Sequence, residues 1–237
     1  MNATATNAPR ELSAVMALLE SLGTEQTRST YRRHGMSEPL YGVKWGDLRP
    51  LAKRIGTDHD LALGLWASGN GDARILATMV GDPAQADEPL LDAWLDACES
   101  YVLVDALTSG LAGRVPGVPA RADRWVASER DRTAQAGWDL VSRLAASDTT
   151  LDDAWFEERL ALVGERITGY GNWTRRAASG AIINIGLRDA GLEAAARATV
   201  AGMGHVEFDP GMTSCVMPDP IAYIERTKAR REAKSRA

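Results

Sequence analysis

Cysteine is almost missing from this chain: Cys98 and Cys215 are the only two among 237 residues. That excludes a disulfide framework and a four-cysteine zinc site. No apolar run approaches the roughly 20 residues that cross a bilayer. The opening segment from Met1 to Arg10 is polar, and the Ala-Leu stretch after it is broken by Glu20, unlike a secretory leader. An excess of positive charge is also lacking. The formal net charge is −5 and the pI about 5.3, which argues against binding nucleic acid through overall charge but not against a local basic patch. No Walker loop, GxGxxG, HExxH or GxSxG motif occurs. Phenylalanine appears twice, and alternating β-branched runs are absent. The expectation is a soluble cytoplasmic protein with no membrane segment.

What is present is helical. Hydrophobic residues make up 45% of the chain, mainly Ala, Leu and Val, and Ala and Leu favour helices. Four of the seven tryptophans, Trp66, Trp94, Trp125 and Trp155, recur at intervals of 28, 31 and 30 residues. Each lies in a short amphipathic segment, followed by a polar break and a second Ala- or Leu-rich segment: 72–80, 102–112, 133–145 and 175–187. This is a helix–turn–helix unit of about 30 residues used four times. One such pair cannot bury its apolar face alone, but stacked pairs make a continuous core. The spacing predicts an all-α chain, an α-α superhelix of HEAT/ARM-like repeats forming one domain over 1–237. The tryptophans are then core anchors. Repeats occupy about 11–202, opened by a helix at 11–22, with Asp47 capping a helix that begins at Leu48 and carries Pro50 in its first turn. Residues 203–220 read as irregular, and a closing helix leads into a frayed basic tail over 221–237.

Charge is unevenly spread. Residues 28–54 hold seven Lys/Arg against Glu38 and Asp47, residues 58–105 hold ten Asp/Glu against Arg74 alone, and the segment from Ile221 has six basic and two acidic residues. Two readings stay open: solvated helix faces, or a basic N-terminal layer and tail that contact phosphates. His34 and His59 stand alone in polar segments and are expected to be exposed. His205, Asp209 and Cys215 fall within eleven residues, but their spacing fits no standard zinc site and a fourth ligand is missing, so no metal is expected.

The strings YGVKWGDLRPLAKRIG and LALGLWASGNGDARILATMV, with the Trp and Asp positions of the later repeats, resemble the AlkD-type DNA alkylation repair proteins from about residue 25 to 190. The resemblance implies a HEAT-like repeat DNA glycosylase that uses no cofactor and no metal. Its partner would be double-stranded DNA with alkylated bases, lying along a concave surface, and it would act as a monomer. It would hydrolyse the N-glycosidic bond of cationic alkylpurines of the 3-methyladenine and 7-methylguanine type. A cationic purine is already a good leaving group, and a carboxylate can stabilise the oxocarbenium character of the sugar.

Carried across residue by residue, the resemblance puts the catalytic pair at Tyr101 and Asp105, four apart and so on one helical face. Tyr101 stands where the family prefers tryptophan. The family's DNA-contacting arginine falls at Gln135, with Arg132 three positions upstream. Its second tryptophan falls at Gly180, with Trp138 and Trp173 near in sequence only. Arg175 and Arg176, together with Arg32, Arg33, Lys44 and Lys53, are candidates for DNA contact or, alternatively, solvent-facing arginines and lysines. A non-catalytic binder of damaged or branched DNA, and a helical-repeat scaffold for other proteins, are the competing readings.

Overall fold

The structure is a computed structural model that describes residues 10–235; the polar opening 1–9 and the last two positions of the basic tail lie outside it. Among the described residues there are thirteen α-helices and no strand. They fall into two compact units, Met1–Pro116 and Gly117–Ala237.

The first unit contains α1 (Leu12–Leu22), α2 (Glu25–Arg33), α3 (Trp45–Ile55), α4 (His59–Ala67), α5 (Gly71–Val80), α6 (Glu88–Asp96) and α7 (Tyr101–Leu107), with a π-helical segment, Thr108–Ala112, continuing α7. Its core is built from Val15, Leu19, Leu48, Leu51, Leu65, Ile75, Leu76, Leu91 and Leu103, all at most 1% exposed. Five of its helices start from short polar caps whose side chains satisfy the otherwise unpaired first-turn amides, the first being Thr24, which accepts from Thr27 N at the start of α2. Asp58 accepts from Leu61 N, Asn70 from Asp72 N and Ala73 N, Asp87 from Leu90 N, and Ser100 from Leu103 N.

The second unit contains α8 (Val118–Val126), α9 (Asp131–Ser147), α10 (Asp153–Arg166), a 3-10 turn at Ile167–Gly169, α11 (Asn172–Gly186), α12 (Ala190–Met203) and α13 (Pro220–Ser235). Helices α9 and α11 pack along their length, with Trp138, Leu140, Ala178 and Ile182 fully buried. Arg188 closes the C-terminus of α9 by donating to Ala145 O (3.1 Å) and Asp148 O (2.8 Å) while its guanidinium sits 4.1 Å from the Phe156 ring centroid.

The four tryptophan segments are the first helices α4, α6, α8 and α10, and the second segments are α5, α7, α9 and α11. Trp66, Trp94 and Trp125 are buried at 8%, 4% and 1% exposure. Trp155 is half-buried, its ring covered at 4.0 Å by the guanidinium of Arg159.

Two local expectations are corrected. Helix α3 begins at Trp45, not Leu48, so Asp47 lies inside the first turn instead of capping it. Lys44 O accepts from Asp47 N and Leu48 N, because the chain turns at a loop fixed by other contacts. The basic tail is helical through Ser235 instead of frayed. Ile224 buries completely where Gly186 has no side chain, since a Cβ there would lie 2.7 Å from Ile224 Cδ1. Glu193 joins the two helices through Arg197 on α12 and Lys228 on α13. No helix of the described residues is long and apolar enough to cross a membrane.

Candidate nucleic-acid interface

The string GNGDAR forms a structural joint in the first unit. Asp72 is fully buried, and its carboxylate accepts from three successive amides: Tyr41 N (2.7 Å), Gly42 N (3.0 Å) and Val43 N (2.7 Å). The loop is pinned from the other side by Tyr31, whose hydroxyl donates to Val43 O at 2.7 Å. Burial, and then the negative charge of Asp72, push the Tyr31 phenol well above the ordinary tyrosine range. Gly42 adopts φ +81°, and a Cβ there would meet Thr24 O at 2.4 Å, so no other residue fits this close approach. The loop in turn sets the start of α3, and with it Lys44, which is exposed at the helix entrance.

Helix α7 carries the candidate pair. Tyr101 is 7% exposed, and its hydroxyl is hydrogen-bonded to Nδ1 of His34, the C-cap residue of α2. The two rings lie 5.8 Å apart at 55°. His34 is thus part-buried rather than exposed, and sequence reading missed its role because the partners are 67 residues apart. Asp105, one turn further along α7, is half-buried. The π-helical segment follows at once. Its Gly110 approaches α5 so closely that a Cβ would lie 2.5 Å from Thr78 Oγ1, and Ser109 Oγ donates to Asp105 O.

The remaining candidates in this unit differ in availability. Arg32 is engaged by two carboxylates, Glu38 (2.6 Å) and Glu25 (2.9 Å). The hydrogen bond from Arg32, then the one from Leu40 N, holds the Glu38 carboxyl below its usual range. Arg33 is exposed and donates to Thr30 Oγ1, and Lys53 is exposed in the last turn of α3.

In the second unit, Arg132 is exposed in the first turn of α9, whereas Gln135 is 2% exposed and offers little surface to a nucleic acid. Arg175 reaches Thr168 O (2.7 Å) and Glu207 O (3.3 Å), so it ties the segment after α12 to the start of α11. That segment is held further by Asn172, which exchanges hydrogen bonds with the Asp209 backbone, and by the Trp173 ring edge-on to Phe208 at 5.4 Å. Arg176 is half-buried, its guanidinium 5.9 Å from the Trp173 ring. Gly180 is open: a Cβ would meet only Ser142 Oγ, at 3.8 Å. It lies in a cleft of about 780 Å³ bounded by α9, α11, the 216–219 segment and α13.

Comparison with known proteins places these observations in a family context. The family model described as DNA alkylation repair enzyme matches residues 15–202. An uncharacterized protein of Listeria innocua is 31% identical over 219 residues, covering 90% of this chain and 95% of its own length. An uncharacterized protein of Listeria monocytogenes is 29% identical over 223 residues, with the same 90% and 95% coverage. A solved structure superimposes with a TM-score of 0.85 at 26% identity, covering 93% of this chain and 94% of that one. It is described as a new family of proteins related to the HEAT-like repeat DNA glycosylases with affinity for branched DNA structures. The fold here is of that all-α, HEAT-like repeat kind.

Proposed function

Since the chain belongs to the DNA alkylation repair enzyme family, we propose that it binds duplex DNA interrupted by a branch or a lesion. The observation that carries this choice over base excision is the second unit's departure from the family site. The position of the second tryptophan is Gly180, an open wall of a cleft, and the position of the DNA-contacting arginine is the buried Gln135. Without that aromatic face and that cation, the groups expected to hold an alkylated nucleotide are incomplete. The solved relative described as having affinity for branched DNA supports the same direction. Exposed Lys44, Lys53, Arg33 and Arg132 supply phosphate contacts, which position a protein on DNA without reading sequence.

A second reading rests on Asp105. A half-buried carboxylate one turn from an aromatic residue is suited to stabilising positive charge on a deoxyribose as a cationic purine departs. Water would attack the sugar carbon, and the neutral alkylpurine would leave with the bond electrons.

The test is a pair of measurements on the full chain. Binding to a four-way junction, a linear duplex and a duplex containing 7-methylguanine is followed by fluorescence anisotropy at several salt concentrations. Base release from the methylated duplex is followed in parallel. Tighter binding to the junction or the lesion, weakening as salt rises, with no release above background, supports the binding reading. Release that disappears in Asp105→Asn with binding kept supports the second. Absence of salt-dependent DNA binding overturns both and leaves a protein–protein scaffold.

A further inference from the structure

The cleft of the second unit has a composition that the duplex contacts do not use. Two arginines line it, Arg176 from α11 and Arg226 from α13. Among the described residues neither makes an ion pair. Each instead lies beside a ring, Arg176 at 5.9 Å from Trp173 and Arg226 at 5.4 Å from Tyr223. Tyr223 is itself 39% exposed at the cleft wall, so its ring face is open to a ligand. On the floor, Asn184 Nδ2 donates to Ser142 Oγ at 2.8 Å. Of the acidic lining residues, Asp219 is engaged in capping α13 through Ala222 N, and Asp139 is half-buried with its Oδ2 shielded from solvent.

The rim adds an apolar element: Val216, on the segment that joins α12 to α13, lines the cleft and is 80% exposed. This segment is held in place by Arg175, by Asn172 and by Ser179, whose hydroxyl donates to Pro218 O. An exposed apolar side chain on a fixed segment beside a cationic cleft with an aromatic wall matches what binds unpaired nucleic acid. Cations track the backbone, an aromatic face stacks a base in any sequence, and an apolar wedge abuts the last base pair. Its volume of about 780 Å³ lies within the range of pockets that hold a small organic molecule, which leaves room for a nucleotide.

We propose that this cleft holds an unpaired nucleotide of a branched DNA. Its base stacks on Tyr223, its phosphates lie at Arg176 and Arg226, and Val216 packs against the adjoining base pair. The proposal rests on the DNA-binding reading above and names the place where a branch is distinguished from a continuous duplex.

The experiment compares a blunt duplex with the same duplex carrying two unpaired thymidines at one end, the terminal one replaced by 2-aminopurine. Anisotropy reports affinity, and 2-aminopurine fluorescence reports stacking. The wild-type protein is expected to prefer the forked probe and to quench its 2-aminopurine. Tyr223→Ala should weaken forked binding by about fivefold to a hundredfold, the range of one lost base–aromatic stack, and abolish the quench. It should leave the blunt duplex unchanged. Tyr223→Phe should retain both signals, and Arg226→Ala should weaken the forked probe alone. Thermal melts confirm that the variants fold. Equal binding of forked and blunt probes, or an unchanged quench in Tyr223→Ala, overturns the cleft while leaving the DNA reading intact. Failure to bind either probe overturns both.

Discussion

Trp66 and Trp94 stack face to face, their ring centroids 4.1 Å apart and their planes within 1° of parallel. They occupy equivalent places in the first helices of consecutive hairpins, so the contact ties one repeat to the next. Arg74, on the helix between them, brings its guanidinium to 5.3 Å from Trp66 and donates to Trp66 O and Ala97 O. Truncating either indole to Ala should cost about 3–5 kcal/mol. A double-mutant cycle with Leu at both positions should return a coupling of about 0.5–1.5 kcal/mol beyond area burial. Urea denaturation of the four proteins measures it, and additive effects would mean the rings merely fill space.

Asp72 serves a different purpose from the other carboxylates of its acidic stretch. Its two oxygens satisfy three buried amides, so Asp72→Ala leaves three donors without a partner and should destabilise the first unit by about 3–5 kcal/mol. Asp72→Asn does little better, because one side of the amide then presents N–H groups to an N–H donor. Gly42→Ala should also be costly, since the new methyl meets the Thr24 carbonyl. Denaturant midpoints report all three, and a shift as small as that of a surface substitution would remove this role from Asp72.

Stability at alkaline pH follows from Tyr31. Burial and Asp72 raise its pKa, so the folded state holds the phenolic proton more tightly than the unfolded chain, which releases it near pH 10. The stabilisation is fully present below that pH and is lost as pH rises further. Tyr41 and Tyr170 are shifted in the same direction, each first by burial. Tyr31→Phe should therefore make the fall of stability above about pH 10 shallower without removing it. At neutral pH it should cost about 1 kcal/mol for the lost bond to Val43 O. An unchanged alkaline slope would contradict the assignment.

Among the basic residues, environment sorts those able to meet phosphate. Lys44→Ala, Lys53→Ala and Arg132→Ala should each weaken every duplex alike and lower the slope of log affinity against log salt by about 0.9. Arg32→Ala should leave the slope unaltered, because Glu25 and Glu38 already engage that guanidinium. Arg175→Ala should likewise spare the slope, but it should expose the 204–219 segment to limited proteolysis. Anisotropy titrations across about 50–200 mM salt distinguish them, and an Arg32 effect equal to that of Lys44 would defeat the sorting.

Much of the architecture was legible in the sequence, for a physical reason. Helical hairpins are local, and an indole recurring every 28 to 31 residues marks the buried face of the first helix in three hairpins, while Trp155 in the fourth is only half-buried. Contacts between distant segments were not legible. The start of α3 depends on a carboxylate about 30 residues away, and the fate of the basic tail on Ile224 finding Gly186 and Lys228 finding Glu193. The site shows the same divide. Spacing put Tyr101 and Asp105 on one helix, but nothing in the sequence showed that His34 holds Tyr101, that Gln135 is buried, or that Arg175 binds main chain. The exposed Tyr223 and the Arg226 beside it lie in a tail whose composition signalled only charge.

The joint at Asp72 also bears on how such chains diverge. The strings that make this sequence recognisable, YGVKWGD and GNGDAR, encode a buried clamp rather than a reactive group. Loss of the clamp is expected to cost the first unit its stability, whereas a side chain added in an open cleft, as at Gly180, meets no close neighbour and is expected to bear on the ligand alone. Ancestry and chemistry are therefore written in separate letters of this protein, and selection can revise the second while the first stays readable.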